Sequence, residues 1–421
     1  MNVADSERIG SALSTVGFEE SDDIFDSNVT IVNSCVVRQS SEDKVTAKLD
    51  QLSKHKNNEQ KNKTIVLMGC MVGPKTDGLE ERFPEVDLFL QPQNYEPLIN
   101  LLYEQKGIDK EGCLSNLDIK PRISSFVPVS HGCDKFCSYC IIPYRRGREI
   151  SRPIPVIVEE VKKLSDKGVK EVTLLGQNVD SYGFDLSEDI NLADLFEAVH
   201  EVNGIERIRF LTSHPMDMDI RIIESIANLP KVCKSINLPF QSGSNKILKL
   251  MNRKHSIREY LEIIENLKEI NSNMEFSSDF IIAYPGESDN DFDKTCELMR
   301  KVKFINSFSF IFSSRPGTPA SKLKLIDQEI ANKRLKTFQK IAEEIKLDYK
   351  RKLLEKTIKT LFENKVANAD NYYFGRDEHQ NPVISYSKKN IIGEEKNVVI
   401  KKVSQHTIFG EIKDKKEYIA A

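Results

Sequence analysis

The sequence lacks the long apolar runs and the leader segment that direct proteins into or across membranes. No apolar run approaches the roughly 18 residues that span a bilayer, which excludes a transmembrane helix. The first residues, MNVADSE, lack the basic, apolar and small-residue zones of a secretory signal, so a cytoplasmic protein is expected. A disordered chain is also excluded, because 39% of the residues are hydrophobic and 30% are charged. A chain of 421 residues is long enough for roughly two to four domains.

A strong excess of charge of one sign is absent from the chain as a whole, whose formal net charge is -3. The last part differs, because residues 350–421 carry 15 Lys and Arg against 10 Asp and Glu, a local net charge of +5. Such a basic end could meet a polyanion. Its lysines and aromatic residues are suited to neutralising phosphates and stacking bases: Lys388, Lys389, Lys401, Lys402, Tyr372, Tyr373 and Phe374.

The chain has eight cysteines, and we do not expect them to form structural disulfides. The cytosol keeps thiols reduced, and a chain of this length can build a hydrophobic core without such cross-links. Metal binding or redox chemistry is therefore the favoured use of these thiols.

Residues 1–103 alternate helix-like and strand-like segments, which predicts an open α/β domain. Apolar runs at 30–32 and 64–68 have the pattern of buried parallel strands. Cys35 and Cys70 follow these runs closely. Both thiols should therefore lie at the carboxyl ends of strands, the edge at which open α/β sheets form their sites.

A polar segment at 104–118 is interpreted as a linker to a second domain at 119–349. Six strand-helix steps predict a partial (βα)6 barrel in that domain. Its expected strands are 126–129, 171–175, 208–212, 235–238, 276–283 and 307–312. A charged helix is expected from about residue 327 to 354. Short strand-like runs at 358–363, 382–386, 397–403 and 407–412 then predict a small β-barrel, in a domain at 352–418.

Three cysteines are concentrated in one segment directly after the first strand of the expected barrel. Cys133, Cys137 and Cys140 form a CxxxCxxC pattern, and loops at strand carboxyl ends carry the chemistry of βα barrels. Cysteines spaced this closely suit a [4Fe-4S] cluster, whose irons are held by thiolates. Three local thiolates would leave one iron open to a substrate. A structural zinc site is the alternative, although such sites usually have four ligands in two pairs.

The CxxxCxxC pattern with an aromatic residue, Tyr139, before its last cysteine resembles the signature of radical S-adenosylmethionine (SAM) enzymes. Further segments resemble the methylthiotransferases within that group, over nearly the full length of the chain. These segments are 33–38 (NSCVVR), 69–70 (GC), 141–149 (IIPYRRGRE), 175–182 (LGQNVDSY) and 238–244 (LPFQSGS). Residues 176–178 and 181–182, together with 314–318 (SRPGT), resemble the branch that acts on N6-dimethylallyladenosine in tRNA.

The resemblance implies a fold, cofactors and site residues. It implies a flavodoxin-like N-terminal domain with an auxiliary [4Fe-4S] cluster, a radical SAM barrel and a C-terminal TRAM domain that binds RNA. Cys133, Cys137 and Cys140 would hold the radical SAM cluster, whose open iron chelates S-adenosylmethionine. Cys35 and Cys70 would hold the auxiliary cluster. The residues expected to contact the cofactor are Tyr139, Arg145, Arg148, Gly176, Gln177 and Asn178.

Arginine is abundant directly after the cluster motif, at positions 145, 146, 148 and 152. Guanidinium groups there could hold the cofactor carboxylate or RNA phosphates. We favour Arg145 and Arg148 for this role. The alternative is a solvated helix start in which Glu149 pairs with an arginine.

The expected auxiliary site is one thiol short. The family pattern places its first cysteine just before the point at which this chain begins, so we expect the true start to lie upstream of Met1. Cys113 in the linker is a weaker candidate for the third ligand, because it does not follow a strand. Cys233 and Cys296 are expected to be small buried hydrophobic residues.

The resemblance therefore implies an enzyme that adds a methylthio group to C2 of N6-(dimethylallyl)adenosine at position 37, next to the anticodon of tRNA. The resemblance implies two molecules of S-adenosylmethionine, a sulfur donor and an electron donor such as flavodoxin or ferredoxin. We expect a monomer that binds no membrane. Two alternatives stay open: a methylthiotransferase acting on threonylcarbamoyl-adenosine in tRNA, and a non-catalytic RNA-binding protein with structural zinc.

Overall fold

The computed structural model describes residues 1–15, 17–36, 39–59, 63–73, 78–92, 94–106, 122–187 and 189–413. The chain divides into two compact units. The first comprises Met1–Lys120, His131–Glu149 and Ser313–Thr318, and the second comprises Pro121–Ser130, Ile150–Phe312 and Pro319–Ala421. None of the described helices is both long enough and apolar enough to span a membrane.

The first unit is built on a parallel sheet of three strands in the order β1-β2-β3. The strands are β1 (Val29–Ser34), β2 (Thr64–Gly69) and β3 (Leu88–Leu90). The helices are α1 (Asn2–Thr15), α2 (Gln39–Glu59), α3 (Leu79–Arg82), α4 (Glu96–Lys106) and α5 (Ile142–Arg146). The two strands that the apolar runs predicted are confirmed, whereas β3 is too short to give a recognisable pattern.

Helices cover both faces of this sheet, and the central strand β2 is therefore buried along its whole length. The apolar core of one face includes Ile65, Leu67, Leu49 and Leu52, of which the last two belong to α2. The core of the other face includes Val66, Met68, Ile9, Leu98 and Leu102, from β2, α1 and α4. A strand that alternates its side chains between two helical layers is the open α/β arrangement that the sequence predicted.

The second unit contains the six parallel strands expected for a partial barrel, and this prediction is confirmed. They are β4 (Ser124–Pro128), β7 (Glu171–Leu175), β8 (Arg207–Leu211), β9 (Ser235–Asn237), β10 (Glu275–Ile282) and β11 (Asn306–Ile311), with β5 (Ser130–His131) and β6 (Ile150–Ser151) as short additions. The strands form two parallel sheets, β4-β7-β8 and β9-β10-β11. An isolated parallel bridge between Ile208 and Val232 links β8 to the segment that leads into β9.

Helices follow these strands in the chain, as strand-helix steps require. They are α6 (Ile154–Asp166), α7 (Leu192–His200), α8 (Ile220–Asn228), α9 (Asn245–Leu250), α10 (Ile257–Ile270), α11 (Asp289–Val302) and α12 (Gln328–Arg351), with 3-10 turns at Pro215–Asp217 and Pro319–Lys322. Capping boxes begin several of them, for example at Ser256 of α10 and Ser288 of α11. Such caps satisfy backbone N–H groups that the first helical turn leaves unpaired.

The C-terminal segment of the second unit is a closed five-stranded barrel in the order β12-β13-β14-β16-β15. Its strands are β12 (Thr357–Lys365), β13 (Tyr372–Asp377), β14 (Pro382–Tyr386), β15 (Glu395–Val403) and β16 (Ile408–Ile412). Phe362, Tyr373 and Val398 lie in its apolar core. The sequence predicted a small β-barrel here, and the structure adds β13 to the strands that the apolar pattern indicated.

Two arginines of β8 connect the partial barrel to this C-terminal barrel. Arg209 donates through Nη2 to the backbone carbonyl of Asp377 (2.7 Å) and through Nη1 to that of Glu378 (2.6 Å). Arg207 donates through Nη2 to Glu395 Oε2 (2.8 Å). Both arginines are buried, and buried charge-assisted hydrogen bonds of this kind hold two elements in one orientation.

Candidate active site

The loop with the CxxxCxxC pattern folds back on the segment that follows it in the first unit. The backbone N–H of Cys133 donates to the carbonyl oxygen of Gly147 (3.2 Å). Gly132 makes this approach possible, because its φ is +73° and a Cβ on it would lie 1.9 Å from the carbonyl oxygen of Arg148. A glycine before the first cysteine is therefore required by the shape of the loop.

The thiols of this loop influence one another electrostatically. Burial raises the pKa of Cys133 to about 11, while a hydrogen bond from the backbone of Lys135 acts in the opposite direction. Burial and the neighbouring Cys137 raise the pKa of Cys140 to about 12. Without metal these two cysteines are protonated near neutral pH, so metal binding must displace their protons.

The donor set of the loop fits an iron-sulfur cluster. Among the residues that the structure describes, no three His, Cys, Asp or Glu side chains are arranged to hold a metal ion. A [4Fe-4S] cluster makes a different demand, because each of its irons takes a separate thiolate. The loop carries three thiols, and each of them could bind one iron. Two of the three sulfur atoms also accept hydrogen bonds from the backbone.

A second pair of thiols lies at the carboxyl edge of the N-terminal sheet, as predicted. Ser34 of β1 pairs in register with Gly69 of β2, and Cys35 and Cys70 are the residues that follow. Gly69 permits the close contact, since its φ is +98° and a Cβ on it would lie 2.4 Å from the Ser34 carbonyl oxygen. The Cys70 N–H also donates to that carbonyl oxygen (3.2 Å).

Arg146, at the end of α5, contacts this second pair. Its side chain is 1% exposed and forms an ion pair with Asp5 of α1 (Nη2 to Oδ2, 3.0 Å). Its Nε donates to the Cys70 sulfur (3.2 Å). Burial opposes the charged guanidinium, but Cys70 and Asp5 raise the pKa of Arg146 above its ordinary value. Arg146 is therefore a cation held beside Cys70, and within the described part of the chain its Nη1 has no hydrogen-bond partner.

In the second unit, the segment after β7 carries the glycine and amides that the sequence singled out. A Cβ on Gly176 would lie 2.5 Å from Ser130 Oγ, so glycine is needed there too. Asn178 is buried and donates through Nδ2 to Asp217 Oδ2 (2.6 Å) and Ser181 Oγ (2.8 Å). Its Oδ1 is buried and has no partner among the described residues, which leaves an acceptor available to a ligand. Gln177 is half-buried.

The other candidate residues occupy different environments. Tyr139 and Arg145 are half-buried. Arg148 is exposed and donates to both carboxylate oxygens of Asp134 (2.6 and 3.1 Å). Tyr373 lies in the core of the C-terminal barrel, so the interpretation of this residue as a stacking surface is wrong.

The remaining cysteines are placed as follows. Cys233 and Cys296 are buried, as expected. Cys113 and most of the proposed linker lie outside the described residues.

Sequence reasoning did not single out Arg146, Asp5 or Asp217. The arginine-rich segment was recognised, but Arg145 and Arg148 were favoured in it. The spacing of Arg146 after Cys140 carries no sign that its side chain would turn towards α1. Asp217 stands beyond the quoted motifs, and only the fold brings it to Asn178.

Comparisons with known proteins identify the family and the fold of the chain. The model of the radical SAM superfamily matches residues 127–299, and the model of the uncharacterized protein family UPF0004 matches residues 1–91. A radical SAM methyltransferase, TsrM from Kitasatospora setae, superposes with a TM-score of 0.57 at 12% identity, over 76% of this chain and 72% of that one. At this identity the likeness supports the fold alone.

Relatives of higher identity cover almost the whole chain. The tRNA-2-methylthio-N6-dimethylallyladenosine synthase of Pelagibacter ubique (strain HTCC1062) is 39% identical over 98% of this chain and 95% of its own length. That of Clostridium botulinum (strain Loch Maree / Type A3) is 36% identical over 98% and 94%. That of Thermoanaerobacter pseudethanolicus (strain ATCC 33223 / 39E) is 35% identical over 98% and 90%.

The partial barrel, the loop of three thiols and the matched superfamily define a radical SAM enzyme. The sequence had indicated this class and the methylthiotransferases within it. The relatives narrow the class, and the chain belongs to the tRNA-2-methylthio-N6-dimethylallyladenosine synthase family.

Proposed function

We propose that the chain catalyses methylthiolation at C2 of N6-(dimethylallyl)adenosine at position 37 of tRNA, with two molecules of S-adenosylmethionine and a sulfur donor. The observation that carries this proposal is the identity of 35–39% to named synthases over 98% of the chain. The C2–H bond is unactivated, so acid-base groups alone would not open it. A cofactor must supply the radical, while the protein binds, orients and shields the reactants.

Cys133, Cys137 and Cys140 are proposed to hold the radical SAM cluster. When bound, that cluster supplies the single electron that cleaves S-adenosylmethionine. The proposed contacts to S-adenosylmethionine are Tyr139, Arg145, Arg148, Gly176, Gln177 and Asn178. Their support is local: Gly176 lets the backbone approach a ligand closely, and Asn178 Oδ1 is an unused buried acceptor.

Cys35 and Cys70 are proposed to hold an auxiliary cluster. Their adjacent positions after paired strand residues and the cation of Arg146 beside Cys70 suit a sulfur-rich anionic group. Two thiols are fewer than such clusters ordinarily use. The donor set in the described part of the first unit is incomplete, and no step of the reaction is derived through this site.

The proposed domains are 1–103, the linker 104–118, the radical SAM core 119–349 and an RNA-binding TRAM domain at 352–418. Tyr372 and Tyr386 support RNA binding by the last of these, because their exposed rings lie 5.6 Å apart on the C-terminal barrel. We further propose an electron donor such as flavodoxin or ferredoxin, a separate sulfur donor, a monomeric state and a cytoplasmic location.

The substrate can be tested directly with two tRNAs. Oxygen-free, reconstituted protein is incubated with S-adenosylmethionine, sulfide, dithionite as the electron source and a tRNA that carries either N6-dimethylallyladenosine or N6-threonylcarbamoyladenosine. Mass analysis of the nucleosides should show a 2-methylthio product from the first tRNA alone. A product from the second tRNA would refute the proposed substrate while leaving the reaction class intact.

The metal content can be tested by counting iron, sulfide and zinc per chain after reconstitution. We expect a triple Cys133→Ala, Cys137→Ala, Cys140→Ala variant to bind about four irons fewer than the unaltered protein, which corresponds to one [4Fe-4S] cluster. The iron that this variant retains is a direct measure of what the N-terminal thiols hold. Zinc without iron, or an iron content that the triple variant does not change, would contradict the assignment.

A further inference from the structure

Two aromatic side chains of the first unit are exposed beside the three thiols. Phe136 precedes Cys137, and Tyr144 lies on α5. Their rings meet edge to face, with centroids 6.1 Å apart and an interplanar angle of 83°. Phe136 is 37% exposed and Tyr144 is 42% exposed. We call this pair the Phe136–Tyr144 platform.

A cation lies over the Phe136 ring of this platform. The guanidinium carbon of Arg148 lies 5.9 Å from the centroid of the Phe136 ring. Asp134 accepts two hydrogen bonds from Arg148, through Nε and Nη2, and so fixes its direction. The Arg148 side chain is still 75% exposed. A fixed cation beside an aromatic face complements the negative charge of a nucleic-acid phosphate that lies next to an unstacked base.

The backbone of the platform is held in an unusual conformation. Phe136 has a φ of +45°, in the left-handed region that side chains other than Asn, Asp and Gly rarely adopt. Such conformations cost energy and are concentrated at functional sites. The residue in this conformation carries an aromatic ring that is 37% exposed, and it directly precedes Cys137, one of the proposed cluster ligands.

We propose that the Phe136–Tyr144 platform stacks an unpaired base of the tRNA substrate. The inference rests on the proposed function, because the base that reacts must come close to the loop of Cys133, Cys137 and Cys140. Unstacked bases of loops are what proteins recognise in RNA, and aromatic or guanidinium planes are the usual surfaces for them. Phe136 and Tyr144 supply two aromatic planes within nine positions of the sequence, 136 to 144.

The test uses Phe136→Ala and Tyr144→Ala variants, with Tyr144→Phe as the conservative control. Dissociation constants are measured for an anticodon stem-loop RNA that carries N6-dimethylallyladenosine. Each alanine variant should bind this RNA about 5- to 150-fold more weakly, as expected for the loss of one base-aromatic stack. Tyr144→Phe keeps the ring and should bind within about twofold of the unaltered protein.

A second series identifies the stacked base. The same RNA is prepared with a single abasic site at each loop position in turn. At one position the removal of the base should weaken binding to the unaltered protein, and Tyr144→Ala should then cause no further loss. This non-additivity is the sign of direct contact. Full additivity at every loop position would contradict stacking on the platform.

Controls separate this inference from the proposed function. Ile270→Ala removes an apolar side chain of similar exposure, 44%, from the outer helix α10, and it should not alter RNA affinity. Iron content and tRNA-independent cleavage of S-adenosylmethionine are measured for every variant, so that loss of the cluster is recognised. If the unaltered protein methylthiolates tRNA and both alanine variants bind RNA like Ile270→Ala, the platform is wrong and the function stands. A variant that cleaves S-adenosylmethionine normally with dithionite but slowly with a protein reductant would contradict base stacking. The platform would then be a binding surface for the electron donor.

Discussion

Replacing Cys137 with alanine is expected to abolish the formation of 5′-deoxyadenosine from S-adenosylmethionine. In the proposed assignment the loop offers one thiol for each of three irons, so removing the middle thiol would leave the cluster without one of its protein ligands. The measurement is chromatography of 5′-deoxyadenosine after reaction with dithionite in the absence of oxygen. Iron per chain should fall in the same variant, which links the lost chemistry to the lost metal.

Cys296→Ala is the matched control for this change. Cys296 is also buried, but it lies on α11, outside the loop of three thiols. We expect this variant to form 5′-deoxyadenosine at the rate of the unaltered protein, because its thiol acts as a small apolar group. Formation that survives in Cys137→Ala would refute the cluster assignment.

Replacing Arg146 with methionine is expected to lower the free energy of unfolding by about 3–5 kcal/mol, the usual result of removing one partner from a buried ion pair. Asp5 is only 2% exposed, and its carboxylate would lose the guanidinium that balances it. Cys70 would lose the hydrogen bond from Arg146 Nε. Urea denaturation of the metal-free protein, followed by circular dichroism, measures the change.

The cause of this loss can be separated from a loss of packing. A double variant, Asp5→Asn with Arg146→Met, contains no unpaired buried charge at this place. It should be more stable than Arg146→Met alone by about 0.5–3 kcal/mol, the usual range for contacting residues. Arg82→Met, which alters an exposed arginine of the same unit, should change the unfolding free energy by less than about 0.5 kcal/mol. Equal losses in the single and double variants would mean that packing, and not charge, accounts for the effect.

Most of the fold could be predicted from the sequence because its signals are local. The apolar runs that became β2, β7 and β10 are bounded by polar residues, and the helices between them begin at caps such as Ser256 and Ser288. Parallel strands alternating with helices leave few arrangements open. The strands β3 and β13 were not predicted. β3 has only three residues, and the apolar run of β13 is interrupted by Gly375 and Arg376, so neither shows a clear strand periodicity.

The site could be predicted only in part. The three thiols were singled out because the CxxxCxxC spacing is distinctive, and their role as cluster ligands stays a prediction. Arg146 was not found, because its contacts join positions 146, 70 and 5. Tyr373 and Tyr372 are neighbours of the same chemical type, yet one is in a core and the other in solvent. Burial and long-range pairing depend on the whole fold, and no short stretch of sequence specifies them.

The contacts of Arg207 and Arg209 fix the distance between the partial barrel and the C-terminal barrel within the second unit. These side chains donate hydrogen bonds to carbonyl and carboxylate oxygens of the C-terminal barrel, which couples the position of that barrel to β8. If the C-terminal barrel binds tRNA as proposed, the bound RNA would lie at a fixed distance from the partial barrel. The distance between the RNA-binding surface of the C-terminal barrel and the partial barrel would then select the nucleotide next to the anticodon. Lengthening the anticodon stem should therefore bring a different nucleotide to the partial barrel.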